Sequence, residues 1–154
     1  MSQLYVDTIT EKTSGNGVQI PGHVVQVVQS QGSAGRQVYT ATSFTDIITA
    51  SITPKSSTSK ILVSVHTSLT RTSGAYIKSS IFRSGSEIHS IDTQSGYLAN
   101  STNEHSIGTI SGAILDAPST ASAVTYSLKM MVAGGGGSFF VDGQAVITLM
   151  EIAQ

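Results

Sequence analysis

Short segments rich in Val, Ile, Thr and Tyr recur along this chain at intervals of roughly ten residues, each bounded by Gly, Ser, Thr or Pro. No stretch carries a helical period, so the pattern predicts an all-β, antiparallel sandwich or barrel. The clearest strand covers residues 60–69, with Ile61, Val63, Val65 and Leu69 on one face and Ser64, His66 and Ser68 on the other. Residues 46–53 likewise gather Ile48, Ala50 and Ile52, and residues 125–132 gather Tyr126, Leu128, Met130 and Val132. Weaker candidates are 24–29, 38–41, 75–83, 87–91, 107–115, 138–141 and 145–152. In the last of these both faces are apolar, Val146, Met150 and Ile152 alternating with Ile147 and Leu149. Such a strand belongs at the centre of a sheet or against a neighbouring subunit.

The breaks have their own chemistry. Ser84-Gly85-Ser86 predicts a tight hairpin and Asp142-Gly143 a second one. Gly134 to Gly137 lacks the following Lys-Ser/Thr of a phosphate cradle and reads as a flexible link. Residues 92–106 have no period and collect polar side chains around Tyr97 and Leu98, which predicts a long exposed loop.

The beginning of the chain differs from the rest. Leu4, Val6 and Thr8 alternate with Tyr5, Asp7 and Ile9, the pattern breaks at Ser14-Gly15-Asn16-Gly17, and Val18-Gln19-Ile20 resumes it. Pieces this short cannot bury a face alone and are satisfied only by partners. Pro21-Gly22 then resets the backbone. Residues 1–22 are therefore read as an N-terminal β-arm, and 23–154 as the head domain.

Composition narrows the function classes. A length of 154 residues suits one domain, and the absence of cysteine removes disulfides and thiolate metal sites from consideration. A net charge of −1 lacks the basic footprint that nucleic acid requires. No run approaches the roughly 20 apolar residues of a membrane span, and no signal peptide opens the chain. His23, His66, His89 and His105 are dispersed and the carboxylates stand singly, so no metal, cofactor or catalytic residue is expected. His66, facing away from the core, is placed to meet its own copies across a symmetry axis. Tyr39, Tyr97 and Phe139-Phe140 lie beside loops where a ring could stack on sugar, Tyr97 foremost.

Several segments together resemble a known family. They are Val6-Asp7-Thr8-Ile9, the run from Gly17 through Pro21-Gly22-His23 to Val28, Phe44-Thr45-Asp46-Ile47, the run from Ile52-Thr53-Pro54 to Lys60-Ile61-Leu62-Val63, Asp116-Ala117-Pro118, and the ending Ile147 to Ile152. They are similar to the β-sandwich module of virion surface proteins in marine, cyanophage-like tailed bacteriophages. The resemblance implies a jelly-roll-like head, usually a homotrimer, with the arm pieces pairing between chains as a short stem or attachment element through Leu4, Val6, Ile9, Val18 and Ile20. It implies a non-enzymatic virion protein whose partners are its own copies and other proteins of the capsid or tail, located at the virion surface. Since the chain starts at Met1 without a separate attachment domain or shaft, a knob, short fibre or decoration is expected. The alternative is a fibre tip that binds a host surface receptor or glycan through Tyr97, Asn100 and His105.

Overall fold

In the computed structural model residues 5–10, 20–72, 74–95 and 106–154 are described. They form ten strands: β1 (Val24–Gln31), β2 (Arg36–Tyr39), β3 (Thr45–Ile52), β4 (Lys60–Arg71), β5 (Tyr76–Arg83), β6 (Ser86–Ser95), β7 (Ser106–Asp116), β8 (Val124–Gly134), β9 (Phe139–Asp142) and β10 (Val146–Ile152). Among the described residues there is no helix. Every strand pair is antiparallel, in two sheets. One runs β1-β10-β4-β9-β2 with β7 on the other edge of β4, and the second runs β3-β8-β5-β6.

The pairing is nested. β1 pairs with β10, β3 with β8, β4 with β7, and β5 with β6. A chain folded back on itself in this way and then rolled into two facing sheets is a jelly roll. The short strands β2 and β9 add a ribbon to one end of the first sheet.

Alternation of side chains along each strand explains the core. Ile61, Val63, Val65, Ile147 and Leu149 of the first sheet meet Ile48, Ala50, Ile52, Tyr126, Leu128, Met130, Ile77 and Ile81 of the second. All of these are buried, as the alternation in β3, β4 and β8 predicts. β10, apolar on both faces, lies between β1 and β4. Ser84 and Gly85 both have positive φ, 47° and 88°, and close the β5–β6 hairpin as expected. Gly135, Gly136 and Gly137 also have positive φ, and a Cβ on Gly135 would sit 1.6 Å from the Gly74 carbonyl oxygen. Only glycine fits there.

Three local expectations are corrected. The predicted loop over residues 92–106 is shorter, because β6 continues to Ser95 and β7 begins at Ser106. Ile91 supplies the reason: its side chain reaches across to β7, so near that a Cβ on Gly112 would lie 2.8 Å from it. Asp142-Gly143 makes no hairpin, since β9 and β10 follow one another along the same edge of β4. β4 itself extends to Arg71, whose guanidinium turns inward with only 1% of the residue exposed. Its Nη1 donates to the Ala75 carbonyl at 2.9 Å.

One end of the sandwich is closed by carboxylates. Glu151 on β10 and Asp116 on β7 both lie opposite Ile61 of β4, on the side facing the second sheet. Glu151 is fully buried and accepts hydrogen bonds from Gln26 Nε2 at 2.6 Å and the Lys55 backbone N–H at 2.7 Å. Asp116 accepts two contacts from Arg83 Nη1, each 2.9 Å, and one from the Tyr126 hydroxyl at 2.7 Å. This second cluster joins the two sheets, Asp116 belonging to one and Arg83 and Tyr126 to the other. Burial first, and the Asp116 carboxylate second, push the Tyr126 phenol far above its usual range. It therefore remains a donor at any ordinary pH.

For Glu151, burial is the largest single influence and raises the pKa, yet the polar groups around the carboxylate, the Ser59 and Gln26 side chains and the backbone of Lys55 and Ser56, outweigh it. The net displacement is downward, below the ordinary carboxyl range. A carboxylate with a depressed folded-state value stabilises the fold above its unfolded value, and this contribution is lost as pH falls through the folded one. Glu151→Gln, which puts an amide donor against donors, should cost about 2–4 kcal/mol at neutral pH. Urea melts at neutral pH and at about pH 3 check both points, since the variant should lose less stability on acidification than the parent.

Candidate functional site

The outward residues of the first sheet form rows across its strands. Val27 of β1 lies opposite Met150 of β10, Met150 opposite Leu62 of β4, and Leu62 opposite Leu115 of β7. Adjacent strands are about 4.8 Å apart, so this apolar row spans roughly 15 Å. Val27 is 56% exposed and Leu115 51%, with Leu62 and Met150 half-buried between them. Toward the sheet's end Val24 pairs with Ile152, and Ile152 with Lys60. On the other side the rows become polar without becoming charged: Gln29, Thr148, Ser64 and Ala113, then Gln31, Val146, His66 and Ser111.

Lys60 is the one lysine, arginine or carboxylate in these rows. The outer face of the second sheet is built differently. There Asp46 of β3 faces Lys129 of β8 in an ion pair of 3.3 Å, Lys129 also lies over the Phe82 ring, and Ser80 donates to Glu87. Charged groups on a sheet face keep it in water, because desolvating them is costly. The contrast marks the β1-β10-β4-β7 part of the first sheet's outer face, away from the Arg36–Asp142 ion pair on the β2–β9 ribbon, as the part suited to contact with another protein surface.

The arm leaves at the apolar end of this face. Gly22 N–H donates to the Ala153 carbonyl at 2.8 Å and Ala153 N–H to the His23 carbonyl at 3.0 Å, extending the β1–β10 pairing by one step. His23 N–H then bonds back to the Ile20 carbonyl at 3.0 Å, closing a turn with Pro21 and Gly22 at its centre. Gly22 has φ +86°, the value the third position of a type II turn requires. The Ile20 N–H in turn donates to His23 Nδ1 at 3.1 Å. Ile20 itself is exposed, as are Tyr5, Val6 and Ile9, and residues 5–10 contain no strand.

Of the residues expected in the stem, Val6, Ile9 and Ile20 thus present apolar side chains to solvent, while Leu4 and Val18 lie outside the described residues. Tyr97, Asn100 and His105, expected at a receptor contact, also lie outside them. Phe139 is corrected: it is fully buried and stacked on Tyr39 at 4.9 Å, a core ring rather than a sugar platform. His66 faces outward, as its position on the strand predicts. Leu62 and Leu115 were not singled out from the sequence, although each is an apolar residue at an outward position of a strand whose inward positions are already apolar. That parity is the signal from which the row could have been found.

No protein-family model matches this chain, and no curated protein does. Among solved structures, a chain in the structure of infectious bursal disease virus Gx strain is similar over 82% of this chain and 33% of its own length. The TM-score is 0.35 at 14% identity, a likeness too loose to bear on fold or function. This chain spans about a third of the length of that one.

A charge placed at the exposed β7 end of the apolar row should abolish any association that uses it and leave the core intact, because the side chain points away from the core. Leu115→Lys is the suitable variant. Its melting temperature should stay within about 3 °C of the parent, as for a surface substitution. Sedimentation equilibrium checks this: any mass above the protomer that the parent shows should fall to protomer mass in the variant.

Proposed function

We propose that this protein is a non-enzymatic virion structural protein of a tailed bacteriophage: a homotrimeric surface appendage, knob, short fibre or decoration, attached through residues 1–22. The observation that carries this reading is the apolar Val27-Met150-Leu62-Leu115 row on the outer face of the first sheet, beside the end from which the arm departs. A jelly-roll head with one dry face and an apolar extension at its edge is suited to packing against copies of itself and to anchoring on a larger assembly. The buried carboxylates have structural partners, and each serves to hold strands together.

Threefold symmetry and the bacteriophage setting come from the resemblance carried by the residues 17–28 and 52–63 segments. Under this reading, threefold rotation about an axis near Gly22 would gather the arms side by side. Short segments such as the Val6 and Ile20 pieces, which form no strand among the described residues, would then gain strand neighbours from other copies.

Deletion of residues 2–20 provides the test. The head should keep its melting transition, since the deleted residues contribute no strand to the described fold. Particles assembled with the truncated chain, imaged by electron microscopy, should lack the density that the full-length protein supplies. Unchanged occupancy would reject attachment through the arm, and a full-length chain that sediments as a protomer would reject the trimer.

A further inference from the structure

Among the described strands, β1, β2 and β7 lie at edges of the first sheet, and β3 and β6 at edges of the second. A free edge offers unpaired backbone N–H and C=O groups to another strand, and folded proteins blunt it with charge, proline, a bulge or brevity. Four of these edges follow that rule. β2 has four residues, one of them Arg36. β3 carries Asp46 and a register shift between Asp46 and Ile48, and β6 carries Glu87 and Asp92 and meets β5 through three shifts. β1 is shifted between Val24 and Gln26, and the Gln26 amide reaches from it to the Thr53 carbonyl.

β7 has none of these protections. It pairs with β4 over all 11 of its residues without a shift, and no strand among the described residues occupies its other edge. Its one charged residue is Asp116 at the end, which accepts from Arg83 and Tyr126. Near its two ends Ile107 and Leu115 stand outward, 81% and 51% exposed. Gly108 is a second anomaly. Its φ is not positive, and a Cβ there would meet nothing within 4 Å, so no contact in the protomer calls for glycine. Glycine inside a strand weakens it and often marks a place where another chain approaches closely.

We propose that the free edge of β7 pairs with the same edge of a second copy, antiparallel about a two-fold axis at Ser111. The strand is complementary to itself in that register. On the outer face Ile107 lies opposite Leu115, so the two exposed apolar side chains cover each other, and Thr109 lies opposite Ala113. On the inner face Ile110 lies opposite Gly112 and Gly108 opposite Ile114, so each isoleucine has a glycine across the seam. Inward residues meet inward residues throughout, as a sheet continued across the axis requires. Moving the axis by one residue in either direction shortens the pairing and sets Leu115 against Thr109, or Ile107 against Ala113. The Val27-Met150-Leu62-Leu115 row then continues into Ile107 of the second copy. Such a contact uses the edge of both copies and closes, so it does not propagate into a fibre. It is separate from the threefold axis proposed above and does not involve the arm.

The chain has no cysteine, so single introduced cysteines report the register. Cα atoms directly opposite in an antiparallel pair are about 4.5–5.5 Å apart, within disulfide reach, whereas an offset of four residues adds roughly 13 Å. Under mild oxidation with copper phenanthroline at submillimolar concentration, full-length Ser111→Cys should form a covalent dimer on a non-reducing gel. Thr109→Cys alone and Ala113→Cys alone should stay protomeric, and an equal mixture of those two should cross-link. All three positions are exposed, so each variant should melt as the parent does. No dimer from Ser111→Cys, or equal cross-linking of the three single variants, would overturn the pairing. Sedimentation separates this result from the proposed function. A trimer mass without the Ser111→Cys dimer keeps the trimer and rejects this contact, whereas a mass of two protomers with the cross-link keeps the contact and rejects the trimer.

Discussion

The pair of carboxylates beside Ile61 is the constraint on which the sandwich depends. A jelly roll brings its first and last strands together, and here β1 and β10 meet at the end where the arm departs. Glu151 ties together β10, Gln26 of β1 and the Lys55 turn between β3 and β4. Gln26 also donates to the Thr53 carbonyl at 2.7 Å, so its amide bridges the carboxylate and the turn. Asp116, on the far side of Ile61, does the same between the sheets through Arg83 and Tyr126. Each carboxylate is a strong acceptor in a place of low polarity, where losing its donors would be more costly than losing an ordinary surface contact. These contacts join positions far apart in the chain, as does the nested pairing of strands. Such a topology acquires its stabilising contacts late and folds slowly for its size.

Much of the fold was legible in the sequence because the strand period shows wherever one face is wet and the other dry. β3, β4 and β8 revealed their inward residues directly, and β10 revealed its central position by being apolar on both faces. β7 was harder to read because glycines at 108 and 112 occupy inward positions, leaving Ile110 and Ile114 to carry the pattern. Its whole length nevertheless pairs with β4. Long-range chemistry left no local trace. Nothing around Arg71 distinguishes a buried guanidinium from a surface one, and nothing around Glu151 shows that the Lys55 turn folds over it. Thr53, Lys55, Asp116 and the C-terminal strand, far apart in the sequence, supply this carboxylate closure.

The same limit applies to the candidate interface. An apolar residue at an outward position could be read from either Leu62 or Leu115 alone, but their alignment with Met150 and Val27 depends on the register of three strand pairs. Register is fixed by the buried faces, so the outer row is a consequence of how the core locks.

The energetics of the outer row bear on how copies would hold together. Completing the burial of four aliphatic side chains that are already about half covered contributes roughly 1 kcal/mol each. Association costs about 4–15 kcal/mol in lost freedom before any affinity appears. The row alone therefore breaks even at best, and the proposed assembly requires a further source of binding free energy. The arm is adjacent to the row and carries Tyr5, Val6, Ile9 and Ile20 exposed. Strands formed among arms would add both apolar burial and backbone hydrogen bonds, at the expense of fixing residues such as 5–10, which contain no strand. Since the type II turn at Pro21-Gly22 fixes where each arm starts, part of that ordering is already accomplished by the head. The carboxylate closure thus has a role beyond stability, because by holding β1 to β10 it sets the position from which the arms extend.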